Sequence, residues 1–527
     1  MRRLSMLATA LLGGALIINF GSTSGCGGSG KNGSGFSGSS GGSGSGGGTG
    51  SGSGSLIGGS GSGSGGTSSG GTQGAMCPAN TQCNVSCSSG TTSISGVVTD
   101  PAGKNPLFDI QVYVPGAPLQ PLTQGVGSDA CDCSALYKSG AVVSTVTGVD
   151  GSFRLTNAPV GDAVPLVVQI GKWRKLLQIK TTQCMDNPQG SIALPSTVAA
   201  GDTNDNMPDI AVSTGSADTL ECLMRRIGLP ATEYTAGAGG TGHVHVFAGG
   251  GQGGGKGGGN VGKPETPGMA GAPASDLNLW STQAQLMPYD IVLLSCEGGE
   301  TYNANPQALE AYLNAGGRAF GSHFHYAFFA GPLGSKQSYT APADWGANLA
   351  AWTVDQGGES NGVIGGIIDQ TLNGSTAPFA KGVDLYQWLG LNNALGQDGV
   401  AAHELSIYQP RFNATVSAAD KPSQPWITAD PTSGQSGATM YFSFDTPVDA
   451  PPAADGGPPN YCGRAVFSDL HVAGNPMTTD TGDPPNGCSD GDLSPQEKAL
   501  EFMLFDLSAC VIPDTVAPPD GGISMIQ

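Results

Sequence analysis

Tyr289-Asp-Ile-Val-Leu-Leu-Ser295 is followed by Pro306-Gln-Ala-Leu-Glu-Ala-Tyr-Leu-Asn-Ala315 and then by Arg318-Ala-Phe-Gly-Ser-His-Phe324, and this succession decides the fold. The first run is short and continuously apolar, as a strand buried on both faces must be; the second has helical spacing, and the third is again a buried strand. Working outward, residues 217–227 read as a helix, 243–247 and 463–472 as strands, and 494–507 as a closing helix. Strands alternating with helices predict a doubly wound, largely parallel sheet over residues 214–512. Ligands of such sheets bind at the carboxyl ends of the strands. Here those ends are Cys296-Glu-Gly-Gly-Glu300, Gly321-Ser-His-Phe-His325 and Asp469-Leu-His471.

Toward the amino terminus the texture changes. Residues 92–198 contain short β-prone runs at 93–100, 108–114, 152–156 and 165–170, bounded by Pro, Gly and Asp, and predict an all-β module. Asp150-Gly151 is a tight-hairpin signal, because Gly accepts the positive φ such a turn needs. A Cys-rich lead-in covers 77–91, a linker 199–213 and a disordered tail 513–527. Asp202-Thr-Asn-Asp-Asn206 has oxygen ligands suited to calcium, yet Met207 and Ser213 stand where an EF-hand loop needs Gly and Glu, and a solvated linker is the simpler reading. Gly250 to Lys256 fits a phosphate-loop spacing, but Gly257 replaces the hydroxyl that would hold magnesium.

Residues 1–26 have a basic start at Arg2-Arg3, an apolar run from Leu7 to Phe20, and small residues before Cys26. They read as an export signal, with Cys26 as the lipidation site. Residues 27–76 are almost wholly Gly and Ser, a random-coil tether with an end-to-end distance of roughly 40 Å. The expected address is an exported protein lipid-anchored to the outer membrane, facing the periplasm or the cell surface. About 450 residues remain, enough for two or three domains. A net charge of -20 with only 12% charged residues repels phosphate backbones and argues against nucleic acid.

Twelve cysteines in an exported chain favour disulfides over metal thiolates. If Cys26 carries lipid, eleven are left, and one must be free or pair outside the chain. Pairing mostly within sequence clusters, including Cys222 with Cys296, is the expectation, and Cys131-Asp-Cys133 reads as a loop staple.

Two resemblances follow from particular residues. Gly96-Val-Val-Thr-Asp-Pro-Ala-Gly103, Ile110-Gln-Val-Tyr-Val114 and the run from Thr147 to Gly161 resemble the carboxypeptidase regulatory-like family, which implies a non-catalytic immunoglobulin-like sandwich. The runs 289–295, 315–323 and 463–471 resemble the class I glutamine amidotransferase-like superfamily and, within it, ThuA-like proteins. The layout is also similar to bacterial lipoproteins of unknown role that join these two modules. The fold class so implied is multidomain: a disordered tether, an all-β immunoglobulin-like sandwich, and an α/β flavodoxin-like domain. In amidotransferases the nucleophilic cysteine ends a G-x-C strand; the matching residue here is His323, nearer the ThuA-like G-x-H, and cannot form a glutamyl thioester.

All six histidines lie in the C-terminal part of the chain, from His243 onward. His243-Val-His245 and His323-Phe-His325 are pairs at i and i+2, which on a strand share a face. The candidate acid-base residues are His323, Glu297 and His471; the candidate ligands of a zinc-like divalent metal are His323, His325 and His245, with Glu297, Glu300 and His471 at neighbouring strand ends able to complete an N/O site. The competing reading is hydrogen-bonded histidines lining a crevice. Trp345, Trp352, Tyr386 and Trp388 offer sugar-stacking faces or core. Two functions stay open: a non-catalytic binder of a glycan or cell-envelope component, and a ThuA-like enzyme acting on a sugar or related small molecule.

Overall fold

In the computed structural model, residues 76–215, 218–250, 269–334, 338–354, 362–435, 437–452, 459–472, 480 and 484–516 are described. The export signal, Cys26, the Gly/Ser tether up to residue 75, the glycine-rich run 251–268 and the tail from residue 517 lie outside them. The all-β part comprises β1 (Ser93–Thr99), β2 (Gln111–Pro115), β3 (Ala141–Val146), β4 (Ser152–Thr156), β5 (Gly161–Ile170), β6 (Trp173–Thr181) and β7 (Asp186–Ala193). They form two sheets, β4-β1-β7 and β3-β2-β5-β6. In β4, Phe153 and Leu155 are buried between exposed neighbours, the period of a half-buried strand. Asp150-Gly151 forms its turn, with Gly151 at φ 70° and the Asp150 carboxylate accepting from the Ser152 N–H at 2.9 Å. The turn closes no hairpin: it carries the chain from β3 in one sheet to β4 in the other.

Residues 199–204 are exposed, while from Asp205 onward the stretch turns inward, and it is tied to the all-β part. The Arg174 guanidinium, buried on β6, donates to the carbonyls of Gln120, Thr203 and Asn204, and the Asp205 carboxylate accepts from the Leu176 N–H. A buried guanidinium must satisfy its donors, and this stretch supplies the carbonyls. Its last residues form β8 (Ile210–Ser213), an interior strand of the next sheet.

After β8 come α1 (Leu220–Arg226), β9 (Tyr234–Ala236), β10 (Val244–Phe247), α2 (Ser275–Asn278), α3 (Gln283–Leu286), β11 (Ile291–Leu294), α4 (Gln307–Asn314), β12 (Arg318–Ser322) and α5 (Tyr326–Ala330). Then follow β13 (Ala351–Trp352), β14 (Val363–Ile368), α6 (Ala380–Leu391), β15 (Leu405–Tyr408), β16 (Ala414–Thr415), β17 (Ser423–Ala429), β18 (Thr439–Thr446), β19 (Gly463–Ser468) and α7 (Pro495–Ser508). Ten strands make one mixed sheet in the order β15-β14-β17-β18-β19-β12-β11-β8-β10-β9. The six from β19 to β9 are mutually parallel; β18, β17, β14 and β15 add on antiparallel. The expected parallel sheet is therefore six strands of a ten-stranded one.

Side-chain alternation sends each strand into two cores. Ile210, Val212, Ile291, Leu293, Phe320 and Val466 join α1, α6 and α7 on one face. Ala211, Val292, Leu294, Ala319, Ala465 and Phe467 join α4 and α5 on the other. The first core is continuous with that of the all-β part: Phe108 stacks on Phe502 at 5.9 Å, Trp173 meets Phe505 at 5.8 Å, and the Trp388 indole donates to the Pro106 carbonyl at 2.7 Å.

The disulfides depart from the expected clustering. Cys77–Cys83 pairs locally, but Cys87 joins Cys184, Cys131 joins Cys462, Cys133 joins Cys510 and Cys222 joins Cys488. The loop between β2 and β3 reaches the α/β part, so its two cysteines find partners more than three hundred residues away. Cys296 does not pair with Cys222; it is free and buried. Five disulfides fit an exported chain. Among the described residues no helix is long and apolar enough to cross a membrane.

Candidate functional site

The chain runs from β8 outward to β9, back through β10, and then to the other side of β8 as β11. That reversal makes a switch point between β8 and β11, the place where sheets of this kind bind ligands. The backbones approach closely there: a Cβ on Gly215 would fall 2.1 Å from the Cys296 carbonyl oxygen. Around it the strand ends bury polar groups, Thr214 after β8, Ser295 and Cys296 after β11, Ser322 and His323 at the end of β12, Ser468 as the last residue of β19, and Asp469 and His471 after it.

His323 is the pivot. It follows β12 at φ 44°, in the left-handed region, and the chain turns at once through a short 3-10 segment into α5. A non-glycine residue held there costs about 1–3 kcal/mol and is kept where the surroundings over-determine it. Gly321 permits the sharp turn, since a Cβ on it would meet the Phe329 ring at 2.8 Å. The turn aims the imidazole at the end of β11, where His323 Nδ1 lies 3.1 Å from the Cys296 Sγ. The His471 ring stands 5.0 Å from that of His323, centre to centre. One ligand atom from each of Cys296, His323 and His471 lies within 4.8 Å of the others.

Burial sets the chemistry of this group. It pushes the Cys296 thiol up to about 12, although the backbone N–H groups of Phe324 and Gly298 point at the sulfur. It pushes His471 down to about 3, with the Arg411 charge acting in the same direction, so this imidazole is neutral at physiological pH. Among the described residues, neither ring nitrogen of His471 has a hydrogen-bond partner. Behind the group, Asp218 accepts from the Ser322 hydroxyl at 2.5 Å and from the Val472 N–H at 2.8 Å, tying the ends of β12 and β19 together.

The expected acid-base trio is thus brought together in part. His323 and His471 meet. Glu297 is outside the group; its Oε1 lies 2.8 Å from where a Cβ on Gly249 would sit. Glu300 accepts from the Tyr326 hydroxyl and from the N–H groups of Leu333 and Gly334, holding the chain after α5. The expected metal set of His323, His325 and His245 does not assemble. His325 leaves the strand in the 3-10 segment and packs edge-on to Trp280 and Phe328, where burial pushes it down to about 3. His245 Nδ1 bonds to the Gly237 carbonyl at 2.9 Å and its Nε2 faces Asp209, which precedes β8 and is at the other end of the strands. Trp345 and Trp388 are buried in the cores, and Trp352 stacks on Phe329, so these rings are packing. Cys296, expected in a disulfide with Cys222, is the third member; its place at a strand end, and the eleven cysteines left if Cys26 carries lipid, are the signals for it.

No protein-family model matches the chain, and no curated protein matches it. Among solved structures, it is similar to chains in crystal structures of two type II cohesin–X-dockerin complexes from Acetivibrio cellulolyticus, a C-terminal and an N-terminal interface mutant. Each is 13% identical, with a TM-score of 0.14, and the match covers 24% of this chain and 78% and 79% of the others.

Proposed function

We propose that this is an exported lipoprotein, anchored through Cys26 to the outer membrane, whose folded part binds a glycan or other cell-envelope component. In this reading the β-sandwich is an immunoglobulin-like, carboxypeptidase regulatory-like spacer. The α/β part is a flavodoxin-like, class I amidotransferase-like domain of the ThuA type that has lost glutaminase chemistry. The observation that supports it is the turn after β12, where the residue that the resemblance matches to the nucleophile is His323 at φ 44°, while the nearby thiol, Cys296, is buried and pushed up to about 12. A thiol that holds its proton this firmly supplies no thiolate for acyl transfer.

The alternative, a ThuA-like enzyme acting on a sugar or related small molecule, draws on the juxtaposition of His323 and His471 at the strand ends. The two readings separate in one experiment. The full chain is incubated with isolated cell-wall sacculi and outer-membrane glycans, and both co-sedimentation and release of small products are followed. Binding without product, unchanged in His323→Ala, is the expected result. Product formation that His323→Ala abolishes would replace the binder with the enzyme.

A further inference from the structure

We propose that Cys296, His323 and His471 form a binding site for a single divalent metal ion of the zinc class. This set keeps His323 and His471 from the strand-end residues read in the sequence and adds the thiol of Cys296 in place of His325 and His245, and it stands on geometry that does not depend on the envelope-binding role. Three features carry it. The donor atoms converge: Cys296 Sγ and His323 Nδ1 are 3.1 Å apart, and all three donors fall within 4.8 Å. A tetrahedral zinc ion with Zn–S of about 2.3 Å and Zn–N of about 2.0–2.1 Å holds its sulfur and nitrogen ligands about 3.5 Å apart, so small side-chain rotations close the set on an ion.

His471 is fully buried, and among the described residues neither ring nitrogen has a partner. Leaving such a group unpaired is costly, and a metal ion is the partner its lone pair lacks. The placement is also apt. Each donor follows a different parallel strand, β11, β12 and β19, and His323 is held in its left-handed conformation facing Cys296. One thiolate and two imidazoles suit a borderline-soft ion, and three protein donors leave the fourth position of a tetrahedron for an exogenous oxygen or nitrogen.

Binding balances simply. The Cys296 S–H bond breaks, an S–metal bond forms, one proton goes to solvent, and no electron is transferred.

The test uses the full chain, produced by export and purified without chelators or an affinity histidine tag. Zinc content is measured, and the metal-free protein is then titrated with Co(II). The expected result is one zinc per chain, and one Co(II) that gives a thiolate-to-cobalt charge-transfer band in the near ultraviolet with tetrahedral visible bands. Cys296→Ser should remove the charge-transfer band, and His471→Ala should lower occupancy at least tenfold. Folded wild-type protein that holds no zinc and gives no thiolate band overturns the proposal, and that outcome needs no variant. Bound metal that survives in Cys296→Ser with an unchanged spectrum overturns it as well, because the ion would then lie elsewhere. Neither result bears on whether the chain sediments with envelope glycans.

Discussion

Asp218 is fully buried, and its carboxylate takes hydrogen bonds from its neighbour Thr219, from Ser322 at the end of β12 and from Val472 beyond β19. It therefore fixes the two strand ends that present His323 and His471. Removing it leaves buried donors unsatisfied, each costing about 1–3 kcal/mol. Asp218→Ala should destabilise the protein by about 2–4 kcal/mol, with Asp218→Asn recovering part of that loss, as read from urea unfolding. A change under about 0.5 kcal/mol would mean that the strand ends hold themselves. This residue had no sequence signal, because a carboxylate that works by joining distant segments looks like any other Asp. His323 was legible, since a buried strand ending in Gly-Ser-His states its own position. His325 was misread for a related reason: the i, i+2 rule holds only while the strand lasts, and β12 ends at Ser322.

Elements with one clear cause were legible, and those shaped by their neighbours were not. β11, β12 and α4 follow apolar run and helical spacing within two residues of expectation. β14 contains Gly365-Gly366, which weakens any strand signal, yet a Cβ on Gly365 would strike the Glu404 carboxylate at 1.9 Å. β17 carries Pro425, where its register with β18 shifts. The four antiparallel strands of the sheet were invisible because they are fitted to each other. α7 shows the opposite case. Ser494 accepts from the Glu497 N–H while the Glu497 carboxylate accepts from the Ser494 N–H, a reciprocal cap with Pro495 at the first helical position. Ser494→Ala should therefore cost about 1 kcal/mol. Because α7 packs against both modules, the loss should lower the melting temperature of the whole protein rather than loosen one helix.

At the scale of the molecule, the sandwich and the α/β part share a core, two disulfides and a set of buried carboxyls where they meet. Asp100, at the end of β1, and Glu501, on α7, are both fully buried, and the Asn105 amide donates to Glu501 at 2.8 Å and to Asp100 at 3.3 Å. Burial, and then the neighbouring Asp100 charge, hold Glu501 well above its ordinary range; burial raises Asp100 too. Lys498 and Asn105 act in the opposite direction on Glu501 without cancelling the effect. The folded protein thus keeps protons here that the unfolded chain has released above a pH of about 4.5. Since the folded state binds more protons, the unfolding free energy falls as pH rises from there toward the raised folded value. Glu501→Gln is neutral at every pH and escapes that loss. Melting curves of wild type and variant should lie close together near pH 5, and the variant should gain progressively up to pH 8. A gap that stays constant across that range would mean that Glu501 is ionised in the fold, with its charge met by the module interface.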